Sequence, residues 1–280
     1  MYTPAHFAED RLPVLMTLMR SYPLATLVTL TGAGLVANHI PLRFTPARQD
    51  ADATLVSRSP DRRDASDAPP FSAASDADDA ADASHAAHLS VTTTQAGGPD
   101  AVAGIALAGV LTGHVARANP LWREFDPDAD VLAIFQGPQA YISPSWYPTK
   151  QEHGRVVPTW NYAVVHAHGR LRVRDDAAWA HALVDELTRE QESARPVPWA
   201  VGDAPDDYIA RLTRAIVGIE IPVTRLTGKW KTSGNQPAAN RAGAARGLAA
   251  SASETDRRMA DLIAAHDAAA AAGSGPAAGK

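Results

Sequence analysis

The chain has 280 residues, 45% hydrophobic and 20% charged, with a formal net charge of −5, and it has no uncharged apolar run of the eighteen residues that a membrane-spanning helix needs. It has no cysteine, which excludes disulfides, thiolate metal sites and cysteine nucleophiles and fits a cytoplasmic address. Ten Asp and four Arg between Pro46 and Ala103 account for the acidity; the remainder carries 22 basic and 21 acidic residues, without the basic cluster by which a DNA-binding face releases counterions.

The opening stretch to Pro13 lacks the basic and apolar regions of a secretory leader. From Glu9 to Tyr22, Leu12, Leu15, Met16, Leu18 and Met19 recur at helical spacing, with Pro13 suited to the first turn. Leu24–Leu30 and Leu35–Phe44 read as two strands around the Thr31-Gly-Ala-Gly34 turn. From Pro46 to about Ala103 the character changes, and residues 59–88 are almost all Ala, Asp, Ser and Pro. Such a stretch cannot bury enough apolar surface to offset the entropy of ordering it, and residues 46–103 are expected to form a largely disordered acidic insertion, with Thr54–Val56 as one extended piece.

Order returns at Ile105. Strands are expected over Leu107–Ala116, Val131–Phe135, Ala140–Ile142 and Val156–Thr159. Ala163–Val173 alternates with the period of two of a half-buried strand. A helix capped by Asp176 runs to Glu192, a second covers Asp206–Ala215, and Ile216–Leu226 is a strand in which Pro222 marks an edge or a bulge. In the tail, Gln236–Ala249 is helical but weakened by Gly243 and Gly247, and Ser253-Glu-Thr-Asp256 caps a helix to about Ala270. The predicted domains are 1–45 with 104–235, the 46–103 insertion, and a C-terminal helical tail over 236–280. Many strands with short helices between them point to an antiparallel barrel, mostly β with α decoration, not to a βαβ fold.

Between Gly113 and Tyr162 lie three of the six Trp and three of the six Tyr, beside Ser143, Ser145, Thr159, Asn119 and Asn161. Aromatic planes next to small hydroxyls and amides suit a flat, polar-edged heterocycle; an aromatic core with bonded hydroxyls is the other reading. Arg117 offers a fork of donors to a phosphate or carboxylate. His39, His114, His166 and His168 raise a metal or haem site without Cys or close carboxylates to support it. No G-x-S-x-G, P-loop or complete dinucleotide glycine pattern is present.

The segments MYTPAHFAED, ANHIPL, GHVARANPLW, FQGPQAYISPSWY, VVPTWNYAVVHAHG and AIVGIEIPVTRLTGKWK, in this order, resemble the PaiB family of FMN-binding negative transcriptional regulators. The resemblance implies an antiparallel FMN-binding split β-barrel, a homodimer with FMN at the subunit interface, and a flavoprotein with flavin-dependent oxidoreductase activity. It implies cofactor-binding roles for Arg117 and Asn119, for Tyr141, Ser143, Ser145 and Trp146, for Thr159, Trp160 and Asn161, and for Lys229, Lys231 and Asn235. It assigns no catalytic residue and no metal. The late motif departs from the family's Leu-Ser-Gln-Asn, reading Thr232-Ser-Gly-Asn235, which removes a side-chain amide that would face flavin or the partner subunit. The alternative is a non-flavin ligand- or haem-binding module that acts through protein partners without direct DNA contact.

Overall fold

The structure, a computed structural model, describes residues 1–47 and 108–273, and side chains as far as Ala268. Apart from Pro46 and Ala47, the acidic stretch 46–103 lies outside the described residues. In chain order the strands are β1 (Ala8–Glu9), β2 (Leu24–Thr31), β3 (Gly34–Pro41), β4 (Arg43–Pro46), β5 (Gly109–Ala116), β6 (Val131–Ile142), β7 (Thr159–Gly169), β8 (Arg172–Arg174) and β9 (Ile216–Lys231). The helices are α1 (Leu12–Ser21), α2 (Leu121–Glu124), α3 (Thr149–His153), α4 (Ala177–Glu192), α5 (Asp206–Arg214), α6 (Ala238–Ala249) and α7 (Glu254–Gly273).

Among the described residues all nine strands form one antiparallel sheet, in the order β3-β2-β6-β7-β9-β5-β4, with β1 and β8 also paired to β9. The hydrogen-bonded path is open, ending on β3 at one side and β4 at the other. Those two strands follow one another in the chain, separated by Leu42 alone. A single residue joining the two ends forces the sheet to roll up, so the result is a barrel with a split seam. The expected class, mostly β with α decoration in an antiparallel split barrel, is the one observed.

Alternation fixes which side chains enter the barrel. Phe135, Ala163, Val165, Ala167, Ile219, Ile221, Leu27 and Leu111 point inward and are buried, and α1 closes one end with Leu15, Leu18 and Met19. The two strands expected at Val131–Phe135 and Ala140–Ile142 are one strand, β6, whose register shifts between Gln136 and Gln139. Val156–Val157 is not a strand; β7 begins at Thr159. Pro222 sits beside a second register shift, where β7 leaves β9 at Gly169 opposite Val223. On that side the ladder is already irregular, while on the other Pro222 pairs in register with Val110 of β5. Asp176 caps α4, accepting from the backbone of Ala178 (2.8 Å) and Trp179 (2.9 Å). Trp179 in turn packs on Gly218, where a Cβ would stand 2.2 Å from its ring.

The tail helices α6 and α7 build a second core with the end of β6: Ala140, Ile142 and Tyr147 against Ala244, Leu248, Met259 and Ile263. Gly243 and Gly247, which weaken α6 by propensity, make this contact possible. A Cβ at Gly243 would stand 2.1 Å from the Trp146 carbonyl oxygen, and one at Gly247 2.4 Å from the Trp146 ring.

At the N-terminus Glu9 pairs in register with Gly228 of β9 and is buried. Burial raises its carboxyl, but three hydrogen bonds from Arg11 (N–H to Oε1 2.9 Å, Nε to Oε1 2.8 Å, Nη2 to Oε2 2.5 Å) hold it below the usual carboxylate range. A carboxylate lowered on folding contributes stability above its unfolded pKa of about 4.3 and loses it as pH falls through the lower folded value. Glu9→Gln is therefore expected to unfold at a lower urea midpoint than the parent at pH 7, the gap closing below about pH 4. A gap that stays constant down to pH 3 would show that the carboxylate charge is not what holds β1.

Candidate functional site

The predicted cofactor residues fall at two places set by the strand register. At one end of the sheet Tyr141 on β6 pairs with Trp160 on β7, and Tyr162 of β7 pairs with Lys231 of β9. Alternation turns Gln139, Tyr141, Trp160 and Tyr162 to the outer face. Tyr141 and Trp160 are each 50% exposed and meet edge to face, ring centroids 6.4 Å apart. The Trp160 indole N–H donates to Gln139 Oε1 (3.0 Å), which fixes the ring's tilt.

Two cations flank these rings. Lys231 donates to the Thr159 hydroxyl (2.6 Å). Lys229 is buried, donates to the Tyr2 carbonyl (3.0 Å) and lies between the rings of Tyr2 (5.8 Å) and Tyr162 (5.5 Å). Only four of the 26 basic residues of the chain are lysine. Among the described residues neither Lys229 nor Lys231 has a carboxylate partner. The arginines behave differently: Arg43 pairs with Glu186 and Glu190, Arg174 with Glu220 and Arg241 with Asp267. Two positive charges held by neutral groups beside exposed aromatic planes form a donor set for a flat, anionic ligand.

The inner face of this strand end is closed. Asn161 is fully buried, donating to Ser233 Oγ (2.9 Å) while its own Oδ1 finds no partner among the described residues. Thr232 Oγ1 and the Tyr147 hydroxyl are likewise buried and unpartnered. Burial raises the Tyr147 phenol, with the nearby Ser233 hydroxyl opposing. Ser233 takes a left-handed backbone conformation (φ 62°). Gly234 follows it, wedged so that a Cβ would stand 2.9 Å from the His6 carbonyl and 3.3 Å from His266 Nε2. The glycine that replaces the family's glutamine therefore fills a packed position. Asn235 is exposed. Ser143 accepts from Ser145 N–H (3.2 Å), Ser145 accepts from Lys150 Nζ (3.1 Å), and Trp146 lies against α6.

Arg117 and Asn119 are elsewhere. They follow the end of β5 at Ala116, which pairs with Ile216, fifteen residues along β9 from Lys231. The Arg117 guanidinium binds Asp175 (2.5 and 3.0 Å) and the carbonyls of Arg214 (2.8 Å) and Ile216 (3.2 Å). The hydrogen bond from Arg117 holds the Asp175 carboxyl down. Asn119 donates to Asn38 Oδ1 (2.9 Å) across the seam and accepts from Leu121 N–H (2.9 Å) at the start of α2. Of the histidines, His166 and His168 share the outer face, and among the described residues no three His, Asp or Glu are placed to hold a metal ion. No described helix is long and apolar enough to cross a membrane.

Sequence reasoning missed Tyr2 and Tyr162 as partners of Lys229. Tyr162 was legible from the alternation beyond Trp160. Tyr2 was not, since only the fold-back of the N-terminus brings it there.

The family described as "Putative FMN-binding domain" matches residues 1–57 and 53–225. The chain is 35% identical over 173 residues to an uncharacterized protein of Aspergillus fumigatus, covering 50% of this chain and 66% of that one. It is 37% identical over 127 residues to the Bacillus subtilis protein named protease synthase and sporulation protein PAI 2, covering 45% of this chain and 58% of that one. The chain thus spans somewhat under two thirds of the length of these relatives. Among solved structures, the flavocytochrome Anf3 of Azotobacter vinelandii has a TM-score of 0.42 at 9% identity, over 80% of this chain and 69% of that one.

Proposed function

The chain belongs to the PaiB-type family of FMN-binding domains, and from that premise we propose that it holds FMN on the outer face formed by β6, β7 and β9. The observation that carries this reading is the pair Lys229 and Lys231, cations without carboxylate partners among the described residues, beside the half-exposed rings of Tyr141 and Trp160. This donor set fits the cofactor. The lysines match a phosphate, the rings match an isoalloxazine face, and Thr159, Gln139 and Asn235 offer neutral hydrogen-bonding groups. FMN supplies the redox chemistry, and the protein supplies orientation and charge.

Arg117 and Asn119 lie too far along β9 to share this site within one subunit. A homodimer in which the other end of the partner's sheet completes the groove accounts for both sets. The partly buried Val28, Leu132 and Ile134 of the same outer face supply apolar area for such an interface. Any regulatory role then runs through ligand state and protein partners. Several arginines, among them Arg43, Arg117, Arg174 and Arg241, are engaged by carboxylates and so offer less charge to an operator, which favours this reading over direct recognition of DNA.

Titrating the protein into FMN is expected to quench flavin fluorescence at micromolar protein, with one FMN per chain and a dimer mass by light scattering. Unquenched flavin at protein concentrations of about 100 μM, well above a micromolar Kd, would sink the flavin reading.

A further inference from the structure

The first long helix, α1, and the last, α7, both line a groove of about 740 Å³, a volume in the range of sites for small organic ligands. Leu18 of α1, Trp230 of β9 and Leu262 of α7 give it apolar walls. Trp230 stands between Lys229 and Lys231, so alternation turns it to the opposite face of the sheet from both lysines. Gly228 makes room for it there: a Cβ would stand 3.0 Å from the Trp230 ring and 2.4 Å from Leu15 of α1. No residue placed at the flavin groove lines this one.

Charge restricts what could bind. Among the described residues Arg258 is the only cation lining the groove, and it is already engaged. It donates to Glu254 Oε1 (2.6 Å) and to the Tyr22 hydroxyl (3.1 Å), with its guanidinium 5.8 Å from the centre of the Tyr22 ring. Asp261, one turn further along α7, is the only carboxylate among the described lining residues. It is exposed and has no ion-pair or hydrogen-bond partner among the described residues. The groove also takes in the last turn of α1 at Leu18 and Ser21, the end at which a helix dipole is negative. An unpaired carboxylate and a helix C-terminus both favour a cation. The indole of Trp230 favours a flat apolar body to carry it.

We propose that this groove binds a small aromatic amine, its ring against Trp230 and Leu262 and its ammonium at the Asp261 carboxylate. The site lies across the sheet from the flavin groove and does not rest on the flavin reading.

The test titrates the full chain with tryptamine and follows binding by ligand-observed NMR. Tryptophol, in which a neutral hydroxyl replaces the ammonium, is expected to bind about fivefold more weakly, the scale of a solvent-exposed ion pair. Asp261→Asn is expected to bring tryptamine down to the affinity of tryptophol while the melting temperature stays unchanged. Thr17→Trp, at an exposed position on the α1 rim, is expected to fill the groove and abolish binding of both probes. Saturating FMN is expected to leave tryptamine affinity as it was. Absence of tryptamine binding to the parent protein overturns the proposal, as does equal affinity for the two probes. So does a preference for tryptamine that survives Asp261→Asn, or binding that persists in Thr17→Trp. Displacement of tryptamine by FMN overturns it too, because that places the probe on the outer face of β6, β7 and β9.

Discussion

Gly243→Ala is expected to destabilise the protein by about 3 kcal/mol, near the upper end of what overpacking a tight contact usually costs. The melting temperature should fall by roughly 6–12 °C at the entropy of a domain of this class. The sign is the informative part. Within an exposed helix, replacing glycine by alanine stabilises by about 1 kcal/mol, because alanine loses less backbone freedom on folding. Here the added methyl would stand 2.1 Å from the Trp146 carbonyl oxygen and 3.2 Å from its carbonyl carbon. That backbone has little room to retreat. Trp146 N–H donates to the Ser143 carbonyl (3.1 Å) and Tyr147 N–H to the Pro144 carbonyl (3.1 Å), and the Tyr147 ring is buried in the second core. The atoms nearest to a Cβ at Gly247 belong to the Trp146 ring, which can swing aside, so Gly247→Ala should cost less. Thermal unfolding of the two variants side by side checks this ordering. A stabilised Gly243→Ala would mean that α6 does not pack on the barrel.

Lys231→Ala is expected to weaken FMN binding on the order of 10–100-fold, the loss of a charge-assisted contact worth about 1.5–3 kcal/mol. Lys231 is the better of the two lysines to change. Lys229 also ties down Tyr2, so its loss would disturb the N-terminal segment as well as the charge. Lys231 contacts the Thr159 hydroxyl, a group that can turn to water when the ammonium is gone. The melting temperature without flavin should therefore stay close to that of the parent, while affinity falls and becomes less sensitive to salt. Lys231→Arg should retain most of the affinity, since charge matters more than shape for a point contact to phosphate. Unchanged affinity in Lys231→Ala would move the phosphate to another part of the surface and leave the aromatic face without its anchor.

Much of the fold is legible in the sequence. The helix at Asp176 follows from a capping residue and the spacing of Trp179, Leu183 and Leu187, and its cap hydrogen bonds are present. The barrel strands follow from alternation, and Pro222 from the intolerance of a ladder for a missing N–H. Boundaries were less legible where tertiary contacts override local pattern. Val156 and Val157 have strand propensity but no pairing partner among the described residues, so β7 waits until Thr159. Gln136–Gln139 looks like a break because of Gly137 and Pro138, yet the strand continues through it as a bulge that lets Leu18 approach.

The sequence by itself determined the family, the antiparallel class and the residue types that suit a flavin, because periodicity and short motifs are local properties of the chain. Only the tertiary structure decided how those residues group. Register places Tyr141, Trp160 and Lys231 at one end of the sheet and sends Arg117 and Asn119 fifteen residues along β9. It also turns the two glycines of α6 from weak points of a helix into the space that Trp146 occupies. Neither result could be read from spacing, since both depend on contacts between segments far apart in sequence, whose pairing is set by the rolling of the whole sheet.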